Sequence, residues 1–495
     1  MSIQLPSYCL QGLSVLPVQV EVNVSRGMPV FSIIGMAGTS VQEAKDRVRS
    51  AMTSSGFEFP LNRKVVNLAP AEVIKHGSHF DLPMALGFLA ASGQMPDLGE
   101  AWALGELGLD GSLRAVSGLL PALLFAKEKG VKKMVVPEGN LREASLVEGV
   151  TFYGARNLRE AVEHFSGRTL LPLETPAPWE ASEADVDFAD VSGQTAAKRA
   201  LLVAAAGGHH VLMSGPPGSG KSLLAQAFRG ILPPLSKAEL LDVLRVHSVA
   251  GDNLASVSFV RPFRAVHPRM TRHALLGGGA DLAPGEVSLA HRGVLFMDEF
   301  PEFERDALEC LREPLESREL RLRAGKRSST YPCEFQLVAT MNPCPCGYYG
   351  DPEKTCTCTA AQVMRYQGKV SGPLLDRIDL HLHVPRLPYE DFKLSALESS
   401  AKLREKVMVA RERQRARWKS QGILTNQAMT PQLVKQERLD LKTEDLLKSA
   451  VRTYSLSGRA LHRLIKVART LADLEDKNHI EAGHMMEALQ YRVKA

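Results

Sequence analysis

Residues 215–222 form a glycine-rich segment that reads Gly215-Pro216-Pro217-Gly218-Ser219-Gly220-Lys221-Ser222. This is the G-x-x-x-x-G-K-[ST] pattern of a phosphate-binding loop, in which glycines let backbone N–H groups turn towards phosphate oxygens. The apolar run 211–213 before the segment indicates a strand, and the stretch 222–228 after it indicates a helix. Because strand, loop and helix in this order are the context that the pattern requires, the sequence predicts that ATP binds here.

The charged residues in and beyond this loop have expected roles. Lys221 supplies a positive charge to the β and γ phosphates, and the Ser222 hydroxyl ligates Mg²⁺. A second apolar stretch, 293–297, ends in two adjacent carboxylates, Asp298 and Glu299. We expect Asp298 to hold the Mg²⁺ and Glu299 to polarise the attacking water. A glycine turn that only resembled a phosphate loop would lack this second element, so the sequence predicts nucleotide hydrolysis.

Length and composition indicate a globular protein of two or three domains. A chain of 495 residues is too long to fold around a single hydrophobic core. Hydrophobic residues make up 44% and charged residues 23%, and no apolar run reaches the roughly 20 residues of a membrane span. Because the N-terminus lacks the layout of a signal peptide, we expect a cytoplasmic protein with no membrane partner. The net charge of +5 is too small to indicate a polyanionic partner by itself.

The patterns along the chain divide it into three domains and a linker. Residues 1–170 combine an alternating strand pattern at 18–24 with an amphipathic helix at 41–55, and indicate an α+β domain. The proline-rich and acidic stretch 171–186 has the composition of a linker, and 187–385 has the pattern of a parallel α/β sheet. The last region, 386–495, is predicted to be all-helical, with helices at 389–421, 443–454, 457–475 and 480–493.

Four of the seven cysteines are clustered. They follow the spacing C-x-C-x9-C-x-C and are Cys344, Cys346, Cys356 and Cys358. Four thiolates can hold Zn²⁺ tetrahedrally, but the usual pairs are separated by two to four residues rather than one. Both a zinc site and a loop of reduced thiols are compatible with this spacing.

Three further segments resemble elements of AAA+ ATPases. The strand pattern 337–342 ends in Asn342 and resembles sensor 1, which holds the attacking water. The segment 372–379 resembles the one that carries an arginine finger, with Arg377 reaching into a neighbouring subunit's site. The segment 457–460 resembles sensor 2, with Arg459 contacting the nucleotide in cis. The resemblance implies an α/β fold in which a parallel phosphate-loop sheet is followed by a C-terminal helical lid.

Over nearly its whole length the chain resembles the magnesium chelatase-like branch of these ATPases, and within it the ComM/YifB family of competence proteins. In this family Gln194 lies at the strand-to-helix turn near the adenine. After 261–265 the family commonly has Pro-His-His, whereas this chain has 266–268 as Val-His-Pro. The motifs that carry the resemblance are 27–35 (GMPVFSIIG), 80–83 (FDLP), 261–265 (RPFRA), 285–291 (GEVSLAH) and 342–347 (NPCPCG).

The resemblance implies an ATP-driven and Mg²⁺-dependent hexameric motor. Such a motor acts on single-stranded and branched DNA, and it drives branch migration while transforming DNA is integrated by homologous recombination. Recombination proteins are its further partners. The basic segment 318–330 resembles a hairpin that lines the pore of related helicases, which would bring Arg323, Lys326 and Arg327 to phosphates. The alternative is a solvated basic hairpin without a ligand. Its position between the carboxylate pair and Asn342 favours DNA contact.

The N-terminal region resembles the proteolytic domain of Lon, which is related to domain 2 of ribosomal protein S5. The positions of the serine nucleophile and the lysine base fall near Ser78 or His79 and at Leu120. Without that lysine we expect a scaffolding or DNA-contacting role rather than peptide cleavage.

Two functions of other classes remain alternatives. One is a chelatase-like remodelling ATPase that acts on a protein or a metal–porphyrin partner, and the other is an ATP-dependent protease.

Overall fold

The computed structural model describes residues 2–96, 98, 102–168, 186–252, 259–325, 327–387 and 398–492. Four parts of the sequence predictions lie outside these residues: most of the linker, 171–185, Lys326, the start of the first C-terminal helix, 389–397, and the end of the last helix, 493. The boundaries proposed for the domains therefore stay predictions.

The N-terminal region is built on a four-stranded sheet with the order β1-β2-β4-β3. The alternation at 18–24 is confirmed, because Val18, Val20 and Val22 of β2 are buried and their neighbours face outwards. The almost wholly buried helix α3 packs against β1 and β2 and closes this core. The elements are β1 (Ser2–Gln11), β2 (Ser14–Ser25), β3 (Phe31–Ile34), α1 (Thr39–Gln42), α2 (Ala44–Ser54), β4 (Arg63–Ala69) and α3 (Asp81–Ala91).

A second, smaller sheet completes the N-terminal region. It is parallel and has the order β5-β8-β9, while β6 and β7 form a short hairpin beside it. The elements are β5 (Trp102–Ala103), β6 (Glu106–Leu107), β7 (Leu113–Arg114), α4 (Leu119–Glu128), β8 (Lys133–Pro137), α5 (Leu141–Ala144), β9 (Thr151–Ala155) and α6 (Leu158–Phe165).

The central region contains the predicted parallel sheet. Its five strands have the order β11-β14-β17-β10-β18, and all four pairings are parallel. The predicted strand before the phosphate loop is β10 and the predicted helix after it is α8, so both predictions are confirmed. The elements up to the carboxylate pair are α7 (Thr195–Gly207), β10 (Val211–Ser214), α8 (Lys221–Phe228), α9 (Lys237–Ala250), β11 (Phe263–Val266), α10 (Arg272–Leu276), β12 (Gly277–Gly278), β13 (Ala283–Pro284), α11 (Glu286–Leu289) and β14 (Val294–Met297).

The predicted basic hairpin is present between β14 and β17. Ala324 pairs with Arg327 at its end, with the turn at Gly325. The remaining elements of the central region are α12 (Arg305–Cys310), α13 (Pro314–Ser317), β15 (Glu319–Ala324), β16 (Arg327–Pro332), β17 (Gln336–Met341), α14 (Ala360–Gln367), α15 (Gly372–Leu375) and β18 (Leu380–His383).

Residues 398–492 are helical, as predicted. The two longest helices, α16 and α19, pack against each other and against α7 of the central region. Among the described helices none is both long enough and apolar enough to cross a membrane. The elements are α16 (Ser400–Arg417), α17 (Pro431–Gln436), α18 (Leu441–Tyr454), α19 (Gly458–Leu474) and α20 (Ala482–Gln490).

The basic hairpin contacts the N-terminal region. The Gln11 side chain donates to the Ser328 carbonyl at 3.4 Å, and the Ser329 hydroxyl donates to the Gln11 carbonyl at 3.5 Å. Gly12 has a φ of +61°, and a Cβ at this position would lie only 1.6 Å from Ser329 Oγ. The turn between β1 and β2 therefore requires glycine to fit against β16.

Candidate nucleotide site and arginine pair

The phosphate loop lies at the carboxyl edge of the parallel sheet. Gly218 and Gly220 have φ values of +78° and +88°, in the left-handed region that favours glycine. A Cβ on Gly215 would lie 2.0 Å from the Val384 carbonyl oxygen, so the loop passes directly against the chain that leaves β18. The pattern of glycines thus follows from backbone geometry.

Lys221 places its ammonium group inside the loop. Nζ donates to the carbonyl oxygens of Gly215 and Pro216, both at 2.8 Å, and lies 3.4 Å from Oδ1 of Asn342. Burial lowers the pKa of Lys221, and the nearby Asp298 carboxylate opposes that shift. The loop, its lysine and the predicted sensor asparagine are therefore brought together.

The predicted magnesium ligands are also in contact. Ser222 Oγ donates to Asp298 Oδ2 at 2.9 Å, and the exposed Glu299 follows Asp298 at the end of β14 with a φ of +52°. A hydroxyl and a carboxylate oxygen at this distance are a donor set that suits Mg²⁺. These oxygens fit the ion that the sequence implies.

Thr340 is a site residue that sequence reasoning missed. Its hydroxyl donates to Asp298 and accepts the backbone N–H of Glu299 at 3.3 Å, so it fixes both carboxylate residues. The signal was in the sequence, because residues two apart in a strand share a face and Thr340 stands two before Asn342.

Gln194 lies beside the phosphate loop, and its expected place near the adenine stays a prediction. The side-chain amide donates to the Ser219 carbonyl at 3.1 Å and to the Pro385 carbonyl at 2.8 Å. The residue is buried and has a φ of +50°. It therefore joins the entry to α7, the phosphate loop and the end of β18.

Arg377 and Arg459 lie together at the opposite edge of the sheet. The guanidinium of Arg377 donates to Glu316, and that of Arg459 reaches the same carboxylate at 3.5 Å. Arg377 stands just before β18, whose first residue pairs with the first residue of β10, whereas the phosphate loop follows the last residue of β10. Strands of this length separate the two edges by about 10 Å.

The expectation that Arg459 contacts the nucleotide in cis is therefore wrong for this arrangement of the chain. The helical region docks against the amino edge of the sheet, so the start of α19 faces away from the loop of its own chain. Arg377 and Arg459 instead form a pair, of which Arg459 is 62% exposed.

A buried carboxylate sets this docking. Asp379 accepts from Arg463 of α19 at 3.1 Å and from the backbone N–H of His210 at 3.1 Å. Burial would raise the pKa of Asp379, but Arg463 and His209 hold it well below its usual range. His209 and His210 are both buried and hydrogen-bonded, and burial lowers the pKa of His210 to about 4.

The four clustered cysteines converge in one loop. Sγ of Cys344 lies 3.4 Å from that of Cys346 and 3.6 Å from that of Cys356, and the four sulfurs all lie within 4.8 Å of one another. Tetrahedral Zn–S bonds of about 2.3 Å would separate sulfurs by about 3.8 Å, so this donor set fits zinc. Hydrogen bonds from the backbone of Tyr348 and Thr357 lower the pKa of Cys346 to about 5, which favours the thiolate.

The cysteine loop packs directly on the phosphate loop. Gly347 has a φ of +87°, and a Cβ there would lie 2.5 Å from Cδ of Pro217. On the other side, Arg386 beyond β18 lies 3.4 Å from Glu353 of the cysteine loop. The cysteine loop is thus wedged between the phosphate loop and the segment that follows β18.

The hairpin has one apolar and one basic face. Leu320 and Leu322 are buried, whereas Arg321 and Arg323 point to solvent on the other side. Arg327 is partly buried and donates to the Ala280 carbonyl at 2.7 Å, so its guanidinium is already engaged. The predicted contact residue Arg323 is available, and sequence reasoning overlooked Arg321 beside it.

The Lon-like positions of the N-terminal region do not form a catalytic pair. Ser78 donates to Glu106, and the Leu120 side chain is buried in α4. His79 is buried against Tyr8, and burial lowers its pKa to about 4. The position expected for the lysine base is thus a buried leucine, and Ser78 is hydrogen-bonded to a carboxylate rather than to a lysine.

The fold and the site together define a phosphate-loop protein with a parallel central sheet and a helical C-terminal region. Family models of the magnesium chelatase subunit ChlI match residues 187–392 and 20–140, and a model of its C-terminal part matches 397–492. A magnesium-chelatase 67 kDa subunit of Chlorobaculum parvum is 27% identical over 210 residues, which is 42% of this chain and 28% of that protein.

Several relatives match nearly the whole chain. The competence protein ComM of Haemophilus influenzae is 41% identical over 96% of this chain and 94% of its own length. YifB of Escherichia coli is 41% identical over 97% of this chain and 95% of its own length. The chain belongs to the ComM/YifB family of magnesium chelatase-like proteins.

The contact between the two loops leads to a first prediction. Gly347→Ala should weaken ADP binding roughly fivefold or more, equivalent to about 1 kcal/mol, because the new methyl group would push the cysteine loop off Pro217. Titration of a fluorescent ADP analogue measures the affinity. Gly350→Ala is the matched control, since its φ is similar at +80° but nothing lies within 4 Å of its added Cβ. Equal ADP affinity in the two variants would refute the contact's role.

Proposed function

We propose that the protein is a cytoplasmic ATPase that assembles into a hexameric ring and moves single-stranded or branched DNA. In this role it promotes the integration of DNA by homologous recombination during natural transformation. The observation that carries the proposal is the division of the sheet into two edges, with the phosphate loop and carboxylates on one and the arginine pair on the other. In a subunit built in this way Arg377 and Arg459 lie away from its own phosphate loop, so they would act on the nucleotide of a neighbouring subunit.

Hydrolysis would use the residues at the carboxyl edge. Lys221 and the loop N–H groups bind the phosphates, while Ser222 and Asp298 hold a Mg²⁺ that neutralises phosphate charge. Glu299 accepts hydrogen bonds from the attacking water, and Thr340 fixes the backbone from which Glu299 projects. Asn342, 3.4 Å from the lysine ammonium, would orient the same water.

The ring would be completed by Arg377 and Arg459. Both guanidiniums converge on Glu316, an exposed carboxylate that binds them as a phosphate would. When the terminal phosphate of a neighbouring subunit's ATP approaches, it can take the place of Glu316. Hydrolysis in one subunit is then sensed by the next around the ring.

Two observations support DNA as the moved substrate. The hairpin carries the exposed arginines Arg321 and Arg323 on one face, Lys326 follows them in the sequence, and phosphates are bound by such residues. ComM, which is named as a competence protein, is similar over nearly the whole chain. The partial similarity to a magnesium-chelatase subunit keeps a remodelling ATPase with a protein or metal–porphyrin partner as the second candidate.

The main test compares ATP hydrolysis with and without single-stranded DNA. We expect DNA to stimulate hydrolysis, and Glu299→Gln to lower kcat by about 10²-fold or more because a neutral amide cannot take a proton from the water. Arg323→Ala should keep basal hydrolysis and lose most of the stimulation. Arg452→Ala, a basic position at the end of α18, serves as the control. Hydrolysis that ignores DNA and responds to a porphyrin-binding protein would favour the second candidate.

The arrangement of the arginines predicts complementation between variants. Arg377→Ala alone should lower kcat by about 10³-fold, since a finger arginine contributes on this scale. Mixing it with the inactive Glu299→Gln protein should restore hydrolysis. In a mixed ring, the intact phosphate loop and Glu299 of the first variant lie next to the intact Arg377 of the second. The same recovery is expected for Arg459→Ala. Mixtures that stay as inactive as their components would contradict an arginine supplied by the neighbour.

The cysteine cluster predicts bound zinc. Purified protein should contain about one zinc ion per chain, and Cys356→Ser should remove most of it because a tetrahedral site needs all four thiolates. Elemental analysis after exhaustive dialysis measures the content. Cys310→Ser, which lies outside the cluster, should leave it unchanged. Wild-type protein without stoichiometric zinc would show that the cysteines serve as reduced thiols.

A further inference from the structure

A cavity of about 50 Å³ lies between the amino edge of the central sheet and helix α16. Its lining includes residues that start or shortly precede five strands, β10, β11, β14, β15 and β17, and also two residues one turn apart on α16. Five arginines from these separate segments line the cavity: Arg261, Arg292, Arg318, Arg411 and Arg415. It lies at the other end of the strands from the phosphate loop and takes no part in the proposed hydrolysis.

The carboxylates around the cavity are fewer than the arginines. Glu239 pairs with Arg261 at 3.0 Å, and Glu334 pairs with Arg292 at 2.5 Å. Asp242, beyond the lining, adds a second contact to Arg292 at 3.2 Å. Even with Asp242 included, these carboxylates leave two guanidinium charges uncompensated.

Arg411 has the least favourable surroundings of the five. It is buried, and Nε and one terminal nitrogen donate to the Ala205 carbonyl at 3.0 and 2.7 Å, while the same terminal nitrogen also donates to the Gln336 side-chain oxygen at 3.4 Å. Burial and the charge of Arg261 lower the pKa of Arg411 to about 9. A buried guanidinium without a carboxylate partner is costly, and a bound anion would offset that cost.

Two arginines connect the cavity to solvent. The Arg415 side chain is 43% exposed, and its nearest carboxylate oxygen among the described ion pairs, on Glu239, is 3.8 Å away. Arg318 is 29% exposed, lies 3.6 Å from Glu334 and donates to the Gln427 side chain at 2.6 Å. Both can turn towards an incoming anion without breaking a buried ion pair.

We propose that this cavity binds a tetrahedral oxyanion of the phosphate class, held by Arg318, Arg411 and Arg415. Planar guanidiniums match such oxygens with paired hydrogen bonds. A single water needs about 10–15 Å³ of cavity volume. A cavity of about 50 Å³ therefore admits a phosphate group but not a nucleoside. The anion would join the amino edge of the sheet to α16 and thereby strengthen the docking of the helical region.

Equilibrium dialysis with radiolabelled orthophosphate tests the proposal. The full chain carrying Lys221→Ala is used, so that the phosphate loop does not contribute to binding. We expect saturable binding of about one phosphate per chain, weakened roughly tenfold or more by an added Arg415→Gln. Arg413→Gln is the matched control on the same helix, because Arg413 pairs with Asp476 and does not line the cavity.

Further arms separate the outcomes. Competition by a 5′-phosphorylated dinucleotide, but not by its unphosphorylated form, would identify a DNA end as the source; competition by pyrophosphate alone would identify a free phosphate compound. Circular dichroism confirms that each variant is folded. Absence of saturable binding in the Lys221→Ala protein overturns the proposal regardless of the cavity variants. Equal losses in Arg415→Gln and Arg413→Gln overturn it as well.

Discussion

The parallel pairing of β10 with both β17 and β18 is the constraint on which the site depends. Parallel strands bring their carboxyl ends to one edge, so the phosphate loop, Asn342 and the chain after β18 meet there, joined by Asp298 from the end of β14. The amino ends meet at the other edge, where Asp379 and the arginines lie. One strand of four residues thus separates two groups of residues that have different uses.

Asp379 ties the helical region to this sheet. Its carboxylate is almost inaccessible and is stabilised by Arg463 and by a backbone N–H, so loss of Arg463 would leave a buried negative charge without its cationic partner. Because Arg459 lies one turn before Arg463 on α19, this single buried ion pair also fixes where Arg459 can reach. The ion pair that helps to dock the helical region therefore also determines the position of the Arg459 guanidinium.

The features that the sequence predicted are those encoded by near neighbours. The glycines of the loop, the alternation in β2 and the hairpin turn at Gly325 each express a local backbone preference, and each is present. The direction of Arg459 was mispredicted because it depends on how distant helices dock, which no local pattern records. The arginine-lined cavity was missed for the same reason, since Arg261 and Arg415 are brought together only by the fold.

The seating of Gly12 against Ser329 has a mechanical consequence. With no side chain between them, the β1–β2 turn and strand β16 are in rigid contact, reinforced by two hydrogen bonds from or to Gln11. Any displacement of the hairpin by more than a few tenths of an ångström must either carry the four-stranded N-terminal sheet along with it or part this contact. The N-terminal region therefore restrains the hairpin and limits how far it can move relative to the N-terminal sheet.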